Sequence, residues 1–379
     1  MSDPHGLLAR VLALLGNHDR SHPPTTAGVQ LKPWPPFFLP PAPQSTRNLG
    51  HDMRKPSFPH INRRAAAIFM TLAGIGGAPL AQPLADYPSK SITWVVGWPP
   101  GGSADTATRL VARKLEAMLG QPIVVDNRPG ASGTIGLQAG AKAAPDGYTL
   151  ITVPGPVVTN RPVPQLGKEL VGVAMMGKGP AVLIGTKVES LPGNVRELID
   201  AAKANPQKYS YVSSGNGTAQ HLAGELFNQM AGTTITHIPY KGGTQAVTDV
   251  IGGQVSLGVL GITSALPHIM SGKLKAYAVT TAARSRNLPD VPTMAEAGLP
   301  GFEATQWFVV AAPTGVSADR IQKINEAIAA ILKQPDVIDG FSKVGIEPEP
   351  ATPQQTTGFV IKDQQRWKNL AQRTHLQLD

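Results

Sequence analysis

The sequence predicts an α/β protein in which helices cover a mainly parallel sheet, and three observations support this fold class. Short β-branched segments alternate with longer amphipathic segments from Tyr87 to the carboxyl end. The 379 residues include 40 Gly and 36 Pro, which favours many turns between short elements. Hydrophobic residues make up 41% and charged residues 16% of the chain, as in an ordinary globular protein. A chain of this length is expected to form more than one domain.

The first 85 residues are predicted to lie outside this fold. Residues 21–43 are dense in proline and show no lasting apolar period, which predicts disorder. Residues 53–85 have the layout of a secretory signal, with basic residues, the apolar stretch 65–75 and then small residues. Residues 1–52 are therefore interpreted as a non-native or disordered extension that precedes the true start. The alternative is a genuine extension with two short helices, neither of them long enough to cross a bilayer. The cleavage site and the choice between the general and twin-arginine secretion routes remain open.

The predicted elements of the first domain alternate between strand and helix. In order, they are strand 92–96, helix 103–119, strand 122–126, helix 134–143 and strand 148–153. After a segment broken by Pro and Gly, the prediction continues with strands 172–176 and 181–186, helix 195–204, strand 209–213, a helix ending at Met230, strand 234–238, helix 244–252, and strands 255–259 and 276–280. Strand 306–312 and helices 318–333 and 353–372 complete the chain. The first domain is predicted to comprise residues 86–185 and 306–379, and the second residues 186–305.

Composition and motifs exclude several classes of function. The chain has no cysteine, so disulfides, thiolate metal sites and cysteine nucleophiles are absent. Of the net charge of +9, residues 1–85 hold eight basic against three acidic residues, and the remaining 294 hold 26 against 22. Since no basic stripe with interleaved aromatic residues occurs, a nucleic-acid partner is rejected. The motifs of zinc proteases, phosphate-loop proteins and α/β hydrolases are also missing, and we expect no metal and no cofactor.

Three turns that follow strands share one design, a Gly-rich loop before a helix that begins with small hydroxyl residues. They are Gly101-Gly102-Ser103, Gly130–Thr134 and Ser213–Gly215. Backbone N–H groups at a helix start attract an anion, and glycine lets the ligand approach the backbone closely. Each loop alone is also consistent with a purely structural turn. If the three lie at the carboxyl ends of strands in facing domains, they meet at a crevice that binds a small anion.

A serine hydrolase is the enzyme alternative. It would pair Ser103 or Ser214 with His221, which lies on the first turn of the helix behind the third loop. No acidic residue has a spacing that nominates it as the third member of a triad. His221 is more plausibly a hydrogen-bonding residue near the bound anion.

Segments along nearly the whole chain after residue 86 resemble one family. They are Tyr87–Lys90, Val95–Asp105, Asn127–Gly133, Ala144–Leu150, Ala204–Pro206, Ser213–Glu225, Pro239–Gly242, Gly252–Val255 and Pro289–Gly298. These segments are similar to signatures of the Bug receptors, which are the TctC-like extracytoplasmic solute-binding proteins of tripartite tricarboxylate transporters.

The resemblance implies a two-domain periplasmic binding protein of type II, with a hinge and an interdomain cleft that closes on a carboxylate-bearing solute. It implies a monomer in the periplasm that delivers this solute to membrane permease subunits. A sensory or orphan receptor that signals to a membrane partner is the second possibility. By position, the ligand-binding residues would be Trp98, Pro99, Pro100, Gly101, Gly102, Ser103, Asp105, Gly130, Ser132, Gly133, Thr134, Ser213, Ser214, Gly215, Thr218, His221, Tyr240, Lys241, Gly242 and Gly243.

Three departures from the family pattern bear on the ligand. Trp98 stands where the family more often has Phe, which would reshape the cleft and add an N–H donor. Ser256 and Leu260 stand where the family commonly has acidic residues, so an amine-bearing ligand would lack counter-charges. We therefore predict a non-amino carboxylate, either aromatic or dicarboxylic. The segment Thr159–Val171 is shorter than usual, which predicts an altered cleft wall or docking surface.

Overall fold

Residues 87–373 and residue 376 are described by the structure, a computed structural model of the chain. The predicted extension and secretory signal lie outside these residues. Within the described part of the chain, no helix is both long and apolar enough to cross a membrane.

The described elements follow the predicted alternation of strand and helix. The strands are β1 (Ile92–Val96), β2 (Ile123–Asn127), β3 (Thr149–Val153), β4 (Leu170–Thr186), β5 (Ser210–Ser213), β6 (Thr236–Pro239), β7 (Leu257–Gly261), β8 (Leu274–Val279), β9 (Thr305–Pro313) and β10 (Glu347–Pro348). The helices are α1 (Ser103–Leu119), α2 (Thr134–Ala141), α3 (Val195–Ala204), α4 (Ala219–Ala231), α5 (Gly243–Ile251), α6 (Ile262–Met270), α7 (Ala318–Ile331), α8 (Pro335–Lys343) and α9 (Pro353–Arg373).

One long strand, β4, joins two parts of the sheet. Strands β2, β1 and β3 are parallel, and β9 lies antiparallel between β3 and the first part of β4. Beyond Pro180, β4 pairs instead with β7 and β8, and β5 lies parallel to both β6 and β7. We call the part built on β1–β3 the first lobe and the part built on β5–β8 the second lobe. The α/β fold class is confirmed, while the predicted domain limits remain a prediction.

The sequence predicts two strands where the structure has the single strand β4. Its register against β9 shifts twice, once between Gly172 and Ala174 and again between Met175 and Gly177. A methyl group built on Gly177 would lie 2.5 Å from the Glu347 carbonyl oxygen, so this glycine lets β10 approach the strand. Glycine therefore marks a close backbone contact here, and the strand continues through it. Helices α6 and α8 are not predicted from the sequence.

Helix α9 packs against both lobes. Its Val360 lies in an apolar cluster with Val96 and Trp98 of the first lobe. Two turns later, Trp367 joins a second cluster that contains Phe227 of the second lobe. The carboxyl-terminal helix thus contributes to the cores on both sides of β4.

A chain of buried hydrogen bonds fixes α1 to the sheet of the first lobe. Trp94 Nε1 donates to Thr152 Oγ1 over 2.9 Å, and Thr152 Oγ1 lies 2.6 Å from Thr108 Oγ1. Thr108 Oγ1 in turn donates to the Ala104 carbonyl over 2.7 Å. Because the indole only donates and the carbonyl only accepts, the Thr152 hydroxyl must donate to Thr108. This series of hydrogen bonds ends at Ala104, on the first turn of α1. That turn faces the space between the lobes.

Candidate functional site

A cleft lies where the loops after β1, β2, β5 and β6 meet. It encloses about 270 Å³. This is the volume of about nine liquid waters, which suits a small metabolite. Residues of both lobes and of the segment after β3 line it: Gly97, Trp98, Gly130, Ala131, Ser132, Gly133, Thr134, Thr159, Arg161, Ser214, Gly215, Asn216, Pro239, Tyr240 and Lys241. The meeting of strand-end loops at one crevice is the arrangement predicted from the sequence.

The first-lobe wall depends on close backbone packing between α2 and the end of β1. A methyl group built on Gly136 would lie 2.5 Å from Gly97 Cα, so α2 rests directly on the backbone of the loop. The Trp98 indole packs on Gly133, whose φ of +88° also suits glycine. Trp98 is 7% exposed and forms the floor of the cleft.

The turn between β2 and α2 holds two ordinary residues in the left-handed region. Ala131 has a φ of 46° and Ser132 a φ of 54°, and both line the cleft. Such a conformation costs L-residues about 1–2 kcal/mol each, and it is retained where the surrounding structure imposes it, often at binding sites. This turn leads into the amino end of α2, whose backbone dipole favours an anion.

The second-lobe wall of the cleft includes Tyr240, whose hydroxyl is fixed by a hydrogen bond. Tyr240 donates its hydroxyl proton to Asp249 Oδ2 over 2.5 Å. This hydrogen bond, more than burial, raises the pKa of Tyr240 to about 12, so its side chain stays neutral. The neighbouring Lys241 also lines the cleft. Tyr240 thus presents a fixed ring, beside which Lys241 supplies a positive charge.

The two lobes touch across the cleft. A methyl group built on Gly242 of the second lobe would lie 2.9 Å from Pro99 Cδ of the first. Similarly, one built on Gly215 would lie 2.8 Å from Ser132 Oγ. The lobes are therefore in contact at these two points, one beside the larger cavity and the other beside a smaller one.

The charged side chains that line the cleft are positive. Among the described residues that line it, Arg161 and Lys241 are the cations, and none is Asp or Glu. Ser256 and Leu260, on which the prediction of a non-amino ligand rested, do not line the cleft. Ser256 exchanges hydrogen bonds with Ser210, and Leu260 is fully buried. The reason to expect a ligand without an amino group is instead the lining itself, whose described residues offer no carboxylate to an ammonium group.

Most predicted site residues lie at the cleft or at a smaller cavity beside it. The larger cavity contacts Trp98, Gly130, Ser132, Gly133, Thr134, Ser214, Gly215, Tyr240 and Lys241. The smaller one, of about 30 Å³, contacts Trp98, Pro99, Gly102, Ser103, Ser214, Thr218, Gly242 and Gly243. This second space is large enough for one water and is rich in hydroxyl and amide groups. Pro100, Gly101, Asp105, Ser213 and His221 line neither cavity.

Asp105 supports the first loop from behind. It accepts hydrogen bonds from the Gly101 N–H, the Arg109 guanidinium and Asn127 Nδ2, each over 2.9 Å. Burial would raise the pKa of Asp105, but these hydrogen bonds outweigh it and hold the pKa below its usual range. Asp105 is therefore an ionised anchor of the loop, and it does not face the cavity.

His221 supports the third loop in the same way. Its Nδ1 accepts the Gly217 N–H over 2.9 Å, and its ring stacks on His237 with centroids 3.7 Å apart. Ser213 Oγ lies 2.7 Å from His237 Nε2. Burial, followed by the effect of the neighbouring His221, lowers the pKa of His237 to about 3, so this ring is neutral. The Ser214 hydroxyl donates to Gln220 Oε1 over 2.8 Å.

Sequence reasoning missed several lining residues, above all Thr159 and Arg161. Both belong to the segment between β3 and β4, where the sequence shows only a shortened, Pro-rich stretch. Gln220, Ser264 and Gln306, which line the smaller cavity, were also missed because they lie within or beside regular elements. The sequence feature that pointed toward Thr159 and Arg161 was the unusual length of the Thr159–Val171 segment.

Comparisons with known proteins agree with this architecture. BugT of Bordetella pertussis is 40% identical over 322 residues, which are 82% of this chain and 96% of BugT. Rpa4515 of R. palustris, solved with adipate, superposes with a TM-score of 0.73 at 33% identity, covering 76% of this chain and 99% of that one. MatC from Rhodopseudomonas palustris, solved with bound malate, gives a TM-score of 0.71 at 30% identity, covering 75% and 99% of the two chains.

The two-lobed α/β fold is that of the periplasmic binding proteins, since the structure of the periplasmic binding protein BugD superposes with a TM-score of 0.73 at 31% identity, covering 77% of this chain and 100% of that one. The sequence profile of the tripartite tricarboxylate transporter family receptor matches residues 107–376. The chain belongs to this family of receptors. The resemblance to the Bug receptors is thereby confirmed.

Proposed function

We propose that this protein captures a small carboxylate without an amino group in the cleft, and hands it to the membrane subunits of a tripartite tricarboxylate-type transporter. The observation that carries the proposal is the charge of the cleft lining, which contains two cations and no carboxylate. An anion gains from this field, whereas an ammonium group would find no partner of opposite charge. The relatives solved with adipate and malate hold ligands of the same chemical class.

The ligand carboxylate would bind at the first-lobe wall. There the strained turn at Ala131 and Ser132 opens α2, and Thr134 begins the helix. Backbone N–H groups at a helix start bind a carboxylate without a charged side chain. The small polar cavity beside Trp98 would hold a water that links the ligand to Ser103 and Gln220.

The proposed location is the periplasm, reached through the secretory signal predicted at residues 53–85. We propose further that the protein acts there as a monomer and without turnover of its ligand. Amino-terminal sequencing of protein recovered from the periplasm checks the signal, and light scattering checks the oligomeric state.

Thermal shift with a panel of carboxylates tests the binding function, because a ligand that binds only the folded state raises the midpoint by mass action. A carboxylate present at about 100 times its dissociation constant stabilises by about 2.7 kcal/mol. We expect a shift with one class of non-amino acids, no shift with the corresponding amides, and weaker shifts with aspartate and glutamate. A larger shift with aspartate or glutamate than with any other acid would contradict the proposal. Loss of uptake of the same acid on deletion of the gene would support transport over signalling.

A further inference from the structure

The loop that follows β5, residues 214–218, contacts both the cleft and the segment after β3. The Val158 N–H donates to the Gly217 carbonyl over 2.9 Å. A methyl group built on Gly217 would lie 1.7 Å from the Val158 carbonyl oxygen, so the two backbones are in direct contact. The loop residues that line the cleft are Ser214, Gly215 and Asn216. A movement of Gly217 would therefore be felt at the cleft lining.

The ring of His221 holds Gly217 from the side away from the cleft. His221 Nδ1 accepts the Gly217 N–H over 2.9 Å. A ring nitrogen accepts only when it carries no proton, so the neutral ring has its proton on Nε2. The ring is 2% exposed and stacks on His237 with an interplanar angle of 13°, and these contacts hold it in place. The observed loop conformation therefore requires a neutral His221.

Ionisable side chains from three elements surround His221 among the described residues. Glu225 of α4 has its Oε1 3.9 Å from His221 Nε2, which favours a positive ring. Tyr211 of β5 donates to Glu225 over 2.7 Å and stays neutral, because burial raises the pKa of its hydroxyl. His237 of β6 is also neutral near pH 7, since its pKa is about 3. Burial raises the pKa of Glu225, so this carboxyl is the competing site for a proton.

We infer that His221 is a pH-dependent positioning residue, and that a proton on its Nδ1 displaces the Gly217 N–H, moves the loop and weakens ligand binding. The inference rests on the proposed function, because it concerns the affinity for the carboxylate. In the protonated protein two N–H groups would face each other, and the Gly217 N–H would lose its buried acceptor. By linkage, a ligand that needs the neutral ring expels the proton to solvent when it binds. Acidification thus favours release of the ligand.

Calorimetry with adipate and with malate on the full chain, at pH 7.5 and pH 5.5, tests this coupling. Histidine ordinarily changes its charge in this range, and release of one proton weakens binding by at most tenfold per pH unit. We expect both affinities of the unmodified protein to fall about three- to tenfold between the two pH values. Any titration of the acids themselves is common to all variants, so the comparison between variants isolates residue 221.

His221→Asn separates the hydrogen bond from the charge. Asparagine Oδ1 stands where histidine has Nδ1, so it can accept the Gly217 N–H, but it cannot gain a proton in this range. Its affinities at pH 7.5 should lie within about twofold of those of the unmodified protein, and the additional loss at pH 5.5 should disappear. His221→Leu, which lacks the acceptor, should bind more weakly at both pH values. Rescue of the leucine variant's loss by asparagine therefore identifies the bond to Gly217.

Two further variants distinguish His221 from other titrating groups. Glu225→Gln removes the neighbouring charge, so it should move the loss of affinity to lower pH and keep it. His268→Asn is the matched control, because His268 lies on α6 and lines neither cavity of the cleft. Its pH profile should equal that of the unmodified protein. Nuclear magnetic resonance of ¹⁵N-labelled histidine in the ligand-free protein should show His221 with one proton, on Nε2, at pH 7.5 and an added proton on Nδ1 at pH 5.5.

The same pH dependence in His221→Asn as in the unmodified protein would overturn the inference. So would its complete loss in Glu225→Gln, or a His221 ring that stays neutral at pH 5.5. Each of these results leaves carboxylate binding at pH 7.5 intact and refutes only the role of His221. If neither probe nor any acid of the thermal-shift panel binds, the proposed function fails and the inference fails with it.

Discussion

The buried hydrogen-bond chain from Trp94 to Ala104 makes a prediction about stability that can be worked out bond by bond. Trp94, Thr108 and Thr152 are each 0% exposed, so water cannot replace a lost partner. Thr152 sits in the middle, accepting from the Trp94 indole and donating to Thr108. Thr152→Val keeps the shape of the side chain and removes both bonds.

The two threonines should not respond equally to substitution. Thr152→Val leaves the Trp94 N–H without an acceptor in the core, which costs about 2–3 kcal/mol. Thr108→Val removes the acceptor of the Thr152 hydroxyl and the side-chain bond to the Ala104 carbonyl. It keeps the indole bond and leaves no buried N–H without an acceptor, so its cost should be about 1 kcal/mol. The double variant should lose little more than Thr152→Val alone, because the residues share one network.

Urea and thermal unfolding of the three variants measure these costs. For a chain of this size about 1 kcal/mol corresponds to about 2 °C, so Thr152→Val should lower Tm by about 4–6 °C and Thr108→Val by about 2 °C. If Thr108→Val were as destabilising as Thr152→Val, or if the two losses simply added, the proposed direction of donation along the chain would be wrong.

Two further predictions concern the supports of the cleft. His237 has a pKa of about 3 in the folded protein. The unfolded chain binds a proton below about pH 6.5 that the folded protein does not, so stability should fall from that pH toward pH 3, by about 2 kcal/mol at pH 5. Urea titrations should show this loss in the unmodified protein and much less of it in His237→Gln. Gly136→Ala should cost about 1–3 kcal/mol and weaken ligand binding, because the methyl group would meet the Gly97 backbone. Gly358→Ala, where nothing lies within 4 Å, should be neutral or stabilising and leave binding unchanged.

Much of the fold could be predicted because each element has a local signature. The predicted strand 92–96 and helices 103–119 and 195–204 have the bounds that β1, α1 and α3 show. In each helix the apolar residues repeat on one face and a turn residue precedes the first position. The break predicted within β4 failed because glycine has two uses that sequence does not separate. It can end a strand, or it can admit a neighbouring backbone, as Gly177 does for β10.

The first-lobe wall was also predictable, since its residue types follow from backbone geometry. A turn with several positive φ angles favours glycine, and a helix that rests on a loop leaves no room there for a side chain. Gly130 and Gly133 therefore mark this turn in the sequence. The family resemblance placed Asp105 among the ligand-binding residues, and His221 was expected near the bound anion because it follows the third loop. Both instead accept loop N–H groups from behind. Adjacency in sequence therefore brings a residue close to a loop but does not fix the direction in which its side chain points.

The second-lobe side could not be predicted in the same way, because a cation that faces a cleft has no local signature. Arg161 is one exposed arginine among many basic residues, and its place at the cavity accompanies contacts between distant parts of the chain, such as the bridge from Val157 to Thr218. This difference between the walls has a functional consequence. Backbone N–H groups can bind any carboxylate, so under the proposed function we expect the first-lobe wall to select the class of ligand. Side chains can be exchanged without refolding a turn, so we expect Arg161 and the loop at Lys241 to select the particular acid.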